Sequence, residues 1–169
     1  AMCLRENIKY VPRKNIGYDI GAFQDVCRER LSGFPNDWDY LLWATDDIIP
    51  MWKNFIQGFL SEVQNPNVGI ACLEISKEMR LHVRTSGFII SKEVSRKITF
   101  PADQITTKAQ CYEFEHRGLN TLIDQIKNMG KLAVQVSPTL MVSHLWDTDH
   151  RSYLNRWDDH YKEFEKRTA

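Results

Sequence analysis

Two adjacent carboxylates, Asp46 and Asp47, stand at the end of the uncharged run Tyr40-Leu-Leu-Trp-Ala-Thr45 and just ahead of Pro50. Neighbouring carboxylates repel unless a cation lies between them or water solvates them, so a divalent metal is the first ligand they suggest. Two further polar features accompany them. The stretch Asn15-Ile-Gly-Tyr-Asp-Ile-Gly21 combines two glycines with two Asx residues, a composition suited to a loop with unusual backbone angles. His144 closes the run Leu140-Met-Val-Ser143. Hard carboxylate oxygens, an imidazole and a phosphate-bearing ligand would together give Mn²⁺ or Mg²⁺ an octahedral shell with positions left for substrate. The same residues also suit structural work, Asp47 as the cap of a helix beginning near Pro50 and His144 as a hydrogen-bonded core histidine.

To bring these groups together the chain needs a sheet with helices around it. Tyr40–Ala44 carries no charge and comes after the turn-rich Gly33-Phe-Pro-Asn-Asp37, so it reads as a strand covered on both faces, as in parallel sheets. Ile8–Val11, Val68–Cys72, Gly87–Ser91, Lys131–Val136 and Leu140–His144 read as further strands. Helical spacing places Phe23, Val26, Cys27 and Leu31 on one face, with Asp19 available as a cap. A second helix runs from Met51 to Val63 and a third from Leu119 to Met129, where Gly130 stands at the terminating left-handed position. Tyr153, Leu154, Trp157, Tyr161 and Phe164 stripe a charged terminal helix over about 150–167. The stretch from Glu74 to Arg84 reads as a charged connector, and residues 92–112 as mostly irregular. Alternating strands and helices predict an α/β fold, a three-layer sandwich around a mostly parallel mixed sheet, in one domain spanning 1–169. If the strands are parallel neighbours, the Asn15–Gly21 loop, Asp46/Asp47 and His144 share one edge, the edge at which open α/β sheets bind ligands.

Composition narrows the function. The chain of 169 residues is 43% hydrophobic and 26% charged, which is ordinary for a globular domain. Its 22 Lys and Arg balance 22 Asp and Glu, so the basic footprint of a nucleic-acid binder is missing. Cys3, Cys27, Cys72 and Cys111 are widely separated, form no metal-type pair, and read as reduced thiols of a cytoplasmic protein. No run approaches the roughly 18 apolar residues of a membrane helix.

The order of these motifs resembles the GT-A family of glycosyltransferases. There a strand leads to an Asn-x-Gly loop and a helix, then to a hydrophobic strand ending in an Asp-x-Asp metal motif, usually with Pro after it. The chain has Asn15-Ile-Gly17-Tyr-Asp19 and then Leu41-Leu-Trp-Ala-Thr-Asp-Asp-Ile-Ile-Pro50. Further on the family has an acidic residue at a helix start, a Gly-Lys-type turn, a strand and a metal-binding His. Glu113-Phe-Glu-His116, Gly130-Lys131, Val134-Gln-Val136 and Val142-Ser-His-Leu-Trp146 keep that order. The resemblance runs from about residue 8 to 146. Aligned on Pro50 the metal motif reads Thr45-Asp46-Asp47, with Thr in place of the first Asp. The family's Glu-Asp pair reads Glu115-His116, and its first two strand–helix units have no counterpart before residue 8, so the fold is expected to be amino-terminally truncated.

The resemblance implies sugar transfer from a nucleotide-sugar donor to a saccharide acceptor with Mn²⁺ or Mg²⁺. It assigns Asp47 and His144 to the metal, and Asn15, Gly17, Asp19, Asp46 and Arg84 to the nucleotide-sugar. Glu113 or Glu115 becomes the base that deprotonates the acceptor, although an acid at a helix start is also favoured by the helix dipole alone. Trp146 is a candidate for stacking on a sugar. A homo-oligomer completing the sheet is the expected partner arrangement. Two other readings stay open, a metal-dependent hydrolase using Asp46, Asp47 and His144, and a non-catalytic module that binds carbohydrate or a partner.

Overall fold

The computed structural model describes residues 10–45, 55–77, 79–136 and, by backbone alone, 142–143. The expected strand start at Ile8, the terminal helix, Asp46, Asp47 and His144 lie outside the described residues. Within them the chain runs through α1 (Tyr18–Cys27), β1 (Tyr40–Ala44), α2 (Phe55–Val63), β2 (Val68–Cys72), β3 (Ile75–Ser76), β4 (His82–Val83), β5 (Gly87–Ser91) and α3 (Lys92–Ser95). It continues with α4 (Lys108–Tyr112), which passes directly into a π-helical turn over Glu113–Arg117, then α5 (Leu122–Asn128), β6 (Leu132–Val136) and β7 (Val142–Ser143).

Five strands form one sheet in the order β1-β5-β2-β6-β7, and β3 pairs with β4 in a separate two-stranded ribbon. Side chains alternate across the sheet and so divide the core in two. Leu41, Ile70, Cys72, Phe88 and Ile90 join Ile20 and Phe23 of α1, Phe114 of the π turn and Ile123 and Ile126 of α5 in one cluster. Ala71, Ile89 and Val134 face the other way and pack on Phe59 and Val63 of α2. Helices therefore cover both faces of a mixed sheet, an α/β arrangement in three layers.

Strand direction departs from the expected mostly parallel sheet. Among the described strands only β2 and β6 pair in parallel; β1 with β5, β5 with β2 and β6 with β7 are antiparallel. A short apolar run reads alike in either direction, so periodicity carries no information on this point. β1 is also less buried than expected, with Leu41 inside and Ala44 exposed, because β5 is its one partner among the described residues. The charged connector from Glu74 to Arg84 holds the β3–β4 ribbon, in which Glu74, Ser76 and His82 are all buried.

Most of the segment between α3 and α4 has no ladder of its own, and two buried glutamines hold it instead. Gln24 donates from Nε2 to the Ala102 carbonyl (2.7 Å) and accepts at Oε1 from the Ile105 N–H (2.8 Å). Gln125 accepts from the Thr99 N–H (2.7 Å) and donates to the Thr99 carbonyl (2.9 Å). Helix α5 starts in a capping box in which Thr121 and Asp124 satisfy each other, and Asp124 also receives the Arg80 guanidinium at 2.5 Å. Gly130 closes the last turn with φ 69°, at the position expected of a left-handed terminator. Among the described residues no helix is long and apolar enough to cross a membrane.

Cys27, Cys72 and Cys111 are free and buried, in line with reduced thiols. Burial pushes the Cys27 thiol up to about 12 and raises Cys72 and Cys111 as well. A thiol whose folded value lies above its unfolded value stabilises fully below the unfolded value and loses that contribution as pH rises towards the folded one. Melting temperature is therefore expected to fall as pH climbs above about 9, and a Cys27→Ala variant is expected to show a shallower fall. Identical slopes for the two proteins in a pH series of thermal melts would remove the Cys27 thiol as a cause.

Candidate functional site

The expected loop over Asn15–Gly21 is helical from Tyr18 onward, and the chain enters α1 through two consecutive left-handed residues, Gly17 with φ 75° and Tyr18 with φ 57°. Gly17 is dictated by its neighbour as well as by its own angle. A Cβ there would lie far inside contact distance of the Ile105 carbonyl oxygen, which Gln24 fixes by holding the Ile105 N–H. Tyr18 has no such freedom, and a non-glycine residue at positive φ costs on the order of 1 kcal/mol or more unless its surroundings impose it. Arg13 braces the loop, reaching the Ile16 carbonyl from Nη2 (2.6 Å) and the Asp25 carboxylate from Nε (2.8 Å). The entry angle places Asp19 in the first turn of α1, facing the turn that leads into β5.

That turn is Thr85-Ser86, and it is the meeting point of the site. The Thr85 hydroxyl donates to Asp19 Oδ2 at 3.0 Å, and the Thr85 N–H donates to Glu115 Oε1 at 3.2 Å. Glu115 Oε1 also lies 3.3 Å from the Thr85 hydroxyl oxygen. Thr85 itself is buried. Next to it, the Ser86 carbonyl accepts from the Thr45 N–H (2.9 Å) and the Thr45 hydroxyl (3.2 Å). The end of β1, immediately before Asp46 in sequence, is thereby tied to the same turn. The Thr85-Ser86 turn between two strands thus joins the first turn of α1, the π turn and the carboxyl end of β1 at one edge of the sheet.

The π turn explains why Glu115 reaches in. Its wider winding is closed by the Gly118 N–H donating back to the Glu113 carbonyl (2.9 Å). A Cβ on Gly118 would collide with that carbonyl, so the closure needs glycine. Phe114 is buried in the core, Glu115 and His116 sit half-buried at the edge, and Glu113 is exposed. Glu115 Oε2 faces His116 Nε2 at 4.0 Å. The His116 ring lies 5.1 Å from both Tyr112 and His82. His82 Nδ1 lies 2.7 Å from the Arg80 carbonyl, which can only accept, so Nδ1 is the donor in this contact.

The predicted site residues sort into four groups. Gly17, Asp19 and Glu115 converge as described. Asn15 and Glu113 are exposed and stand off the Thr85 node. Arg84 turns its guanidinium to the buried Glu74, with Nε 3.3 Å from Oε1, and its N–H donates to the Glu74 carbonyl (3.1 Å). Asp46, Asp47 and His144 lie outside the described residues. The strands that precede them, β1 and β7, are the outer strands of the described sheet and run in opposite directions, so the parallel-neighbour arrangement that was to bring them to one edge does not apply. Among the described residues no group of three or more His, Cys, Asp or Glu is arranged to hold a metal ion.

No relative identifies the chain. Protein-family models give no match, and comparisons with curated proteins and with solved structures give none either.

In the stretch Arg84-Thr-Ser-Gly87 the sequence directs attention to Arg84 as the positioning residue, whereas Thr85, one residue on, makes the contacts. Sequence reasoning passed over Lys108 and Tyr112. Lys108 Nζ lies 5.1 Å from the Tyr18 ring centroid and 5.3 Å from that of Tyr112, and the Arg117 guanidinium lies 4.9 Å from Tyr112. Cys111 links this rim to the site: its thiol approaches the Gly17 carbonyl at 3.5 Å and is raised by burial first and then by Asp19, with Lys108 lowering it and Glu115 raising it. Tyr10, Arg13, Val26, Phe34 and Trp43 help to line a separate apolar pocket of about 840 Å³, and none of the converging acids lines it.

Thr85→Val keeps the side-chain shape and removes the bridge to Asp19. It is expected to cost about 1–3 kcal/mol, roughly 2–4 °C of melting temperature per kcal/mol for a chain of this size. Thr85→Ser is expected to stay close to the parent, and a Thr85→Val protein melting with the parent would show that the hydroxyl bridges nothing of consequence. Gly17→Ala is expected to be harsher, at least about 2 kcal/mol, read by the same melts.

Proposed function

We propose that this chain transfers a sugar from a nucleotide-sugar donor to a saccharide acceptor, with Glu115 as the base that takes the acceptor proton. The observation that carries the reading is the convergence of Asp19, Thr85 and Glu115 at the carboxyl edge of β1, the edge at which open α/β sheets accept ligands. The Thr85 N–H holds Glu115 Oε1, which leaves Oε2, on the His116 side, to receive a proton. A base fixed in this way is poised for general-base attack on a hydroxyl brought within hydrogen-bond reach. Asp19, in the first turn of α1, is oriented by the Thr85 hydroxyl and can accept from a sugar hydroxyl of the donor. Glu113, being exposed, is the weaker of the two acids for the role of base.

A divalent cation, Mn²⁺ or Mg²⁺, would supply positive charge to offset that on the departing nucleotide. Its assigned ligands, Asp47 and His144, lie outside the described residues, and the described donors do not make a metal group. The chemistry placed on the described residues is therefore binding, orientation and proton acceptance. Asn15 and Gly17 belong to the donor side through the loop that leads into Asp19 in the first turn of α1, whereas the Glu74 pairing of Arg84 supports a role in holding the β3–β4 ribbon.

Calorimetric titration with UDP-, GDP- and dTDP-sugars in the presence of Mn²⁺ tests the reading. Saturable heat is expected with at least one donor and is expected to vanish in Asp47→Ala. Glu115→Gln is expected to keep donor binding and lose transfer by about 10²–10⁴-fold. A folded protein that gives no heat with any of the three donors overturns the proposal.

A further inference from the structure

We propose that Tyr18, Lys108, Tyr112 and Arg117 form the acceptor subsite and that it takes a saccharide carrying an anionic group. This rests on the transferase reading, because it names the acceptor of the same site. The rim adjoins the two converging acids through the chain itself: Tyr18 precedes Asp19, Tyr112 stands just ahead of the turn that carries Glu115, and Arg117 ends that turn. Lys108 reaches over rings from two different elements, Tyr18 on α1 and Tyr112 on α4, and Arg117 covers Tyr112 from the far end of the π turn.

Three observations point to a ligand with negative charge and a sugar-like body. Both cations are exposed, and neither forms a salt bridge among the described residues; each lies over an aromatic ring instead. A ring face attracts the cation without taking up all its N–H donors, so Lys108 and Arg117 keep donors for a carboxylate or phosphate. Tyr18 is half exposed although its backbone is held at φ 57°, and strain of this kind gathers at ligand sites. Its ring offers an apolar plate with a polar tip, the type of surface on which a pyranose packs. The acids Asp19 and Glu115 lie inward of the cations, so an acidic substituent is drawn to the rim and repelled from the base, and this orients the saccharide with a hydroxyl towards Glu115.

The test is binding of trigalacturonate, a neutral trigalactoside and UDP, each measured by calorimetry on the chain and on Lys108→Gln, Arg117→Gln and Tyr18→Gly. Trigalacturonate is expected to bind more tightly than the neutral sugar, to weaken as salt is raised, and to weaken about tenfold in each charge variant, with Lys108→Arg restoring it. Tyr18→Gly is expected to weaken trigalacturonate while leaving the melting temperature unchanged or raised, since it relieves the positive φ; a purely structural tyrosine would lower it. Equal binding of acidic and neutral sugars, or charge variants that bind trigalacturonate like the parent, overturns the inference. So does a loss of UDP binding in those variants, which would give the two cations to the donor diphosphate. Trigalacturonate binding that persists where every nucleotide-sugar gives no heat would sink the transferase reading and the acceptor role with it, and leave the rim as a binding site for an acidic saccharide.

Discussion

The side-chain amide of Gln24 is the interaction on which the site depends. Buried inside α1, it supplies both a donor and an acceptor to a stretch of chain that has no strand partner, fixing Ala102 and Ile105 from a distance of about eighty residues in sequence. Two unsatisfied backbone groups in that interior would each cost about 1–3 kcal/mol. Once Ile105 is fixed, its carbonyl presses on Gly17, the chain can enter α1 only through glycine, and Asp19 faces Thr85. The same segment leads into α4 and the π turn, so one amide sets the approach of both acids.

The two sheet faces divide the labour accordingly. The α2 face is a plain apolar seam of Phe59, Val63, Ala71, Ile89 and Val134. On the other face Phe23 sits at the centre of an aromatic group, its ring centroid 5.1 Å from Phe88, 5.6 Å from Trp43, 5.9 Å from Phe100 and 6.2 Å from Phe114. Phe114 belongs to the π turn and Phe100 to the segment held by the glutamines. Rigid rings therefore anchor both irregular pieces to the sheet, and the polar site is built on the outer side of the turn that Phe114 secures.

Much of the scaffold was legible in the chain. The runs Tyr40–Ala44, Val68–Cys72 and Gly87–Ser91 are strands with those bounds, and helical spacing located α1 and α5 with errors confined to their ends. The features that stayed hidden have physical causes. Strand direction leaves no trace in an apolar run, so the antiparallel setting of β5 could not be read. The β3–β4 ribbon was concealed by its own charges, because a buried Glu74 paired with Arg84 looks in sequence like any two solvated residues. Asp19 and Glu115 were named from a resemblance of motifs, yet nothing in residue types singled out Thr85, whose importance comes from contacts 66 and 30 residues away.

The π turn sets a condition that substitutions alone would not expose. A π turn accommodates one residue more per closure than an α-helix, and here that residue lies between the Glu113 carbonyl and the Gly118 N–H. Removing any single residue from 113 to 117 would let the segment relax into regular α-helix and swing the downstream chain by about 100° around the axis. The site is thus sensitive to the length of the chain at this point as well as to its chemistry. A deletion at 113 that conserved every other charge and ring would still turn Phe114 and Glu115 away from their places, exchanging a carboxylate at the edge for a hydrophobe or opening the core.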